Sequence, residues 1–179
     1  MTRKNLLYCA LLLCAFGAVS CGSDDHSPAE KSPSMLAWSV DTAGPYGTGY
    51  RTLPYTYTAA STGEDRTIDV HVWYPTEATT GEHPTYEVIF DDPISLLNAP
   101  LAPSPNPDGY PVHVYSHGNM GFGGASPFLM RHFASHGWVV VAPDHTGNTL
   151  SDNIDPRPPQ TYLNRATDVT AVLDWLEGL

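Results

Sequence analysis

Apolar and polar residues alternate along "RTIDVHVWYP" (residues 66–75), where Ile68, Val70, Val72 and Tyr74 interleave with Asp69, His71 and Trp73. A period of two is that of a strand with one face buried. The preceding "GTGYRTLPYTYTAAS" (47–61) is rich in Tyr and Thr, which suit a pleated surface, and "TGED" supplies a turn, so the pair reads as a β-hairpin. "PVHVYS" (111–116) and "WVVVAPD" (138–144) read as further strands. The second is nearly all apolar, as expected of a strand covered on both faces in a parallel sheet. Between them Ser126 stands where a helix is capped, Pro127 suits the first helical position, Phe128, Leu129 and Phe133 share one side, and Gly137 supplies the stop. Tyr162, Ala166, Val169, Val172, Leu173 and Leu176 recur at helical spacing over 161–177, and Gly178 ends that second helix. Strand, helix, strand, helix predicts an α/β fold, and a helix with no strand after it reads as an unfinished parallel sheet. Residues 75–111 are proline-rich and weakly patterned, the mark of a functional loop or an insertion.

The N-terminus has a different texture. Arg3 and Lys4 precede an apolar run from Leu6 to Val19, which is too short for a comfortable membrane span and predicts a secretory signal over residues 1–20. Ala18-Val19-Ser20-Cys21 looks like a bacterial lipobox, making Cys21 the lipidated first residue of an exported, membrane-anchored protein. Ordinary cleavage after Ala-Val-Ser, giving a secreted one, is the alternative. Residues 21–37 mix Ser, Pro and charge without an apolar period, as a flexible tether does, and leave 38–179 as the folded domain. Cys9 and Cys14 fall in the signal, so the mature chain has no disulfide, thiol nucleophile or cysteine metal site. The formal charge of −11 argues against a nucleic-acid partner.

The candidate chemistry lies in "YSHGNMGFGG" (115–124). As a dinucleotide site its Gly121, Gly123 and Gly124 nearly make G-x-G-x-x-G, with Asp144 at a plausible distance for a ribose, but Ser126 takes the last position. As a nucleophile elbow, Gly124-Ala125-Ser126 begins G-x-S-x-G, but Phe128 ends it, and Ser126 reads better as a helix cap. His132 and His136 are four apart on one helix, a zinc-compatible spacing, yet they lack a neighbouring Glu and a third ligand and read as surface histidines. Arg165 and Asp168 either pair on the helix surface, or Arg165 braces the loop after Asp144.

The order of Ser116-His117-Gly118, a helix closing with His136-Gly137, an apolar strand, and Pro143-Asp144-His145, followed by "RATDVTAVLDWL", resembles the platelet-activating-factor acetylhydrolase and dienelactone-hydrolase-like secreted esterases of the α/β-hydrolase superfamily, over about Trp38 to Leu179. The resemblance implies the N-terminal part of an α/β-hydrolase fold, stopping before the nucleophile elbow. It implies a serine hydrolase of carboxylic esters (lipid acyl esters, small esters or polyesters) that needs no cofactor or metal. It makes the backbone N–H of Asn119 one oxyanion-hole donor, with His117 and Gly118 as the scaffold of its loop. It places nucleophile, acid and base outside these residues, so that the chain by itself is inactive. A surface lipoprotein that binds without catalysis is the rival reading.

Overall fold

The computed structural model describes residues 39–178. The expected signal, the expected lipidation site at Cys21 and the expected tether lie outside the described residues.

The predicted hairpin forms from β1 (Gly47–Thr58) and β2 (Asp65–Thr76), antiparallel over their whole length from Gly47 opposite Thr76 to Thr58 opposite Asp65. The segment read as weakly patterned holds three short strands: β3 (Thr85–Tyr86) and β4 (Phe90–Asp91), which pair with each other, and β5 (Leu96–Leu97), which lies parallel to β1. Next come β6 (Val112–Val114), helix α1 (Pro127–Ser135), β7 (Val139–Pro143) and helix α2 (Gln160–Glu177). The main sheet has the order β5-β1-β2-β7-β6, with β6 and β7 parallel and β2 antiparallel to β7.

Successive residues of β7 point to opposite faces, and each face meets a different helix. Val140 and Ala142 join Met130 and Ala134 of α1 in one core, together with Tyr50, Trp73, Tyr86 and Phe122. Val141 joins Val172 of α2, with Ile68, Val70, Val72 and Tyr74, in the other. The two helices therefore cover opposite faces of the sheet.

Three details depart from the sequence reading. β2 is buried on both faces beyond Asp69, not on one, because Tyr50 and Tyr86 close over Trp73, whose indole N–H donates to the Tyr86 hydroxyl at 3.0 Å. That hydroxyl donates to Asp92, which also receives Arg131 of α1 at 2.7 Å, so the 75–111 segment is tied into the core. On α2 the predicted stripe is rotated: Tyr162 and Ala166 are exposed, and the fully buried positions include a carboxylate, Asp168. Ser126 does occupy the position before α1, with Pro127 first in the helix, but its side chain caps no backbone N–H and instead meets the Tyr115 hydroxyl at 3.2 Å.

Candidate active site

The C-terminal ends of β6 and β7 lie side by side, and the residues just beyond them build the site. In an open α/β sheet this is the end where ligands collect. After β6 the chain runs Ser116-His117-Gly118-Asn119, with Ser116, Gly118 and Asn119 exposed and His117 fully buried. The His117 Nδ1–H donates to the Gly118 carbonyl at 2.7 Å, and Nε2 accepts the backbone N–H of His145 at 3.0 Å. One nitrogen donates and the other accepts, which is the neutral tautomer. Burial holds this imidazole below its usual pKa, outweighing the opposite pull of the Gly118 bond. His117 thus fastens the end of β6 to the end of β7.

Asn119 is fixed from its side chain, whose Oδ1 accepts Asn148 Nδ2–H at 2.7 Å. Arg165 reaches across from α2, donating to Asn148 Oδ1 at 2.9 Å and to the His117 carbonyl. The second sequence reading of Arg165 is therefore the one observed: it braces the loop after Asp144 and does not pair with Asp168. Met120 comes next with a positive φ of 56°, a conformation that side chains other than glycine seldom adopt. Among the described residues no acceptor meets the backbone N–H of Gly118 or of Asn119.

The glycines beyond Met120 serve close packing. A Cβ on Gly123 would stand 2.5 Å from His71 Cδ2 and 2.6 Å from the Ala142 carbonyl. The Gly123 N–H donates to Asp144 Oδ1, and His71 Nε2–H donates to Oδ2 at 3.0 Å. Burial would raise the Asp144 carboxyl, but these bonds hold it below the usual carboxylate range. Asp144 is spent inside the protein on the glycine loop.

Behind the loop lies an arrangement that sequence reasoning missed. Ser116 Oγ is 2.8 Å from His145 Nε2, and His145 Nδ1 is 2.8 Å from Asp168 Oδ2. Asp168 also accepts Arg66 Nε at 2.7 Å and the Tyr57 hydroxyl at 2.6 Å. Burial pushes its carboxyl up, yet His145, Arg66 and Tyr57 together hold it below its usual value, so it is ionised at neutral pH. A carboxylate only accepts, so Nδ1 carries the imidazole proton and Nε2 offers its lone pair to Ser116. The available signal was Ser116 and His145 themselves, in Ser-His-Gly and Pro-Asp-His; Asp168 was assigned to the helix surface.

His132 and His136 hold no shared ligand geometry: Nδ1 of His136 meets the His132 carbonyl at 2.8 Å, and Nε2 meets the Ser39 carbonyl at 3.1 Å. His136 is buried, not at the surface as its spacing suggested. No cluster of three or more potential metal ligands occurs among the described residues.

Residues 91–154, which include the whole loop after β6 and the β7 end, match the family described as platelet-activating factor acetylhydrolase, isoform II. No curated protein matches the sequence. Among solved structures the chain is similar to a ferulic acid esterase from Streptomyces cinnamoneus, with a TM-score of 0.56 and 23% identity, covering 72% of this chain and 46% of that one. The chain thus spans about half the length of that esterase. With β6 and β7 parallel and helices on both faces of the sheet, the chain has an α/β fold similar to that of this esterase.

Proposed function

We propose that this protein is a carboxylic ester hydrolase in which the backbone N–H of Asn119 is one donor of the oxyanion hole. The observation that carries the reading is that this N–H has no acceptor among the described residues while the Asn119 side chain is held by Asn148. His117 pins the loop from below, Arg165 and Asn148 pin it from α2 and the β7 loop, and the N–H itself is left for a ligand. Ester cleavage passes through a tetrahedral intermediate whose oxygen gains charge, and a donor held in advance stabilises that charge without reorganising. Gly118, with nothing within 4 Å of where a Cβ would be, leaves the approach clear. The family match over residues 91–154 supports the same class of chemistry, on lipid acyl, small or polymeric esters.

The signature G-x-S-x-G does not occur in residues 1–179, so on this reading these residues supply the hole and do not turn esters over by themselves. The same reading makes the protein exported and anchored through Cys21, supported by Arg3, Lys4, the apolar run and Ala18-Val19-Ser20-Cys21.

The test is hydrolysis of short- and long-chain 4-nitrophenyl esters by the protein isolated from its natural envelope, beside Asn119→Pro and Asn119→Ala. Proline removes the N–H and is expected to lower kcat about 100-fold or more, while alanine keeps the donor and loses far less. Absence of ester hydrolysis in the isolated protein overturns the reading in favour of a binding role. Equal losses in the two variants overturn the backbone assignment.

A further inference from the structure

We propose that Ser116 is an activated hydroxyl that accepts an acyl group from small esters with good leaving groups, with His145 as its base and Asp168 holding the imidazole in place. This reactive centre lies in the same loop as Asn119, but it does not depend on the assignment of the oxyanion hole.

Three observations carry it. Ser116 is an exposed residue of the loop after β6. His145 Nε2 lies 2.8 Å away with its lone pair directed to that hydroxyl, because Nδ1 is committed as a donor to Asp168 at 2.8 Å. Asp168 is fixed by Arg66 and Tyr57, which leaves the imidazole one orientation. Nucleophile, base and orienter in hydrogen-bonded sequence are the minimum arrangement for covalent acyl transfer. Arg165 Nη2 stands 3.4 Å from Oγ and puts positive charge beside the hydroxyl as it gives up its proton.

The step balances without a further reagent. Oγ forms a bond to the acyl carbon as its proton passes to His145 Nε2, giving an imidazolium paired with the Asp168 carboxylate. With 4-nitrophenyl acetate the tetrahedral adduct expels 4-nitrophenolate; with a fluorophosphonate Oγ bonds to phosphorus instead and the five-coordinate adduct expels fluoride, and neither leaving group has to be protonated to depart.

Burial hinders release of the acyl group. The His145 side chain is fully buried, and Ser116 sits over its Nε2. Once Oγ carries an acyl group, a water molecule has no open route to that nitrogen, so deacylation lacks its base. The expected behaviour is a stoichiometric burst with little or no turnover after it, which sets this centre apart from a turnover enzyme.

The experiment treats the 179-residue chain with 4-nitrophenyl acetate and, separately, with a fluorophosphonate, and locates the adduct by peptide mass spectrometry. Expected are a burst of nitrophenolate and a single modified residue, Ser116, with both reagents. Ser116→Ala, a change at an exposed side chain, abolishes burst and adduct while its melting curve stays near the parent's. His145→Gln slows acylation at least about 100-fold. Should His145→Gln fail to fold, Ser116→Ala alone decides. Modification at another serine or a tyrosine, a burst surviving in Ser116→Ala, or no adduct on folded protein each overturns the proposal.

Discussion

Nδ1 of His145 donates to Oδ2 of Asp168 across 2.8 Å, with both side chains fully buried. Asp168 comes from α2, His145 from the loop after β7, Arg66 from β2 and Tyr57 from β1, so one carboxylate fastens four elements on the sheet's second face. Removing its charge leaves Arg66 and His145 facing a neutral amide in a dry site. Loss of one partner from a buried pair costs about 3–5 kcal/mol, and Asp168→Asn is expected to destabilise by that order in urea denaturation at pH 7. The sign of the pH dependence comes from the lowered carboxyl. Its contribution is fully present above the ordinary value of 3.8 and is lost as pH falls through the lower folded value. The gap between parent and variant should therefore hold from pH 7 to about 4 and shrink below that. A gap that stays constant down to pH 2 would rule out the ionised carboxylate as its source.

Much of the fold was legible because the hairpin and the βαβ unit obey simple periods and are punctuated by glycine and proline. Pro127 and Gly137 bracket α1 as read, and Gly178 closes α2. The parts that were not legible share a cause. Counting apolar residues assigns His71 and Trp73 to solvent, yet the buried Tyr50 hydroxyl meets His71 Nδ1 at 2.6 Å and Tyr86 accepts from Trp73. The same count rotates α2, because it cannot foresee that Arg66 neutralises Asp168 and Tyr57 donates a hydrogen bond to it, each from some hundred residues earlier. The site divides in the same way: a local motif marks His117 and Gly118, whereas Ser116, His145 and Asp168 meet only through the sheet order.

Gly123 offers a local test of how tightly the loop is packed. Its backbone passes so close to His71 and Ala142 that a methyl group has no room, and both obstacles are held, His71 by Asp144 and Tyr50, the carbonyl by β7. Gly123→Ala is expected to cost about 1–3 kcal/mol in stability and to weaken the Gly123 to Asp144 bond. Chemical denaturation measures the first effect. Amide hydrogen exchange at residue 123, faster in the variant than in the parent, reports the second.

Arg165 separates bracing from charge. Its guanidinium holds Asn148 Oδ1 at 2.9 Å and the His117 carbonyl at once, and Asn148 in turn holds Asn119. Lysine keeps the charge but presents a single point donor on a flexible stem, which cannot span both acceptors in the same geometry. Arg165→Lys should therefore behave like Arg165→Ala in loosening the loop. Both should speed hydrogen exchange at residues 117–121 while leaving α1 and β7 protected, with a stability loss of about 1.5–3 kcal/mol from the charged hydrogen bonds given up. Ester hydrolysis by the natural protein should fall in both variants by similar factors, since the proposed donor at Asn119 depends on position and not on net charge. If Arg165→Lys instead retains full activity and protection while Arg165→Ala loses both, the residue acts through its charge, and the account of the loop as a braced donor has to be given up.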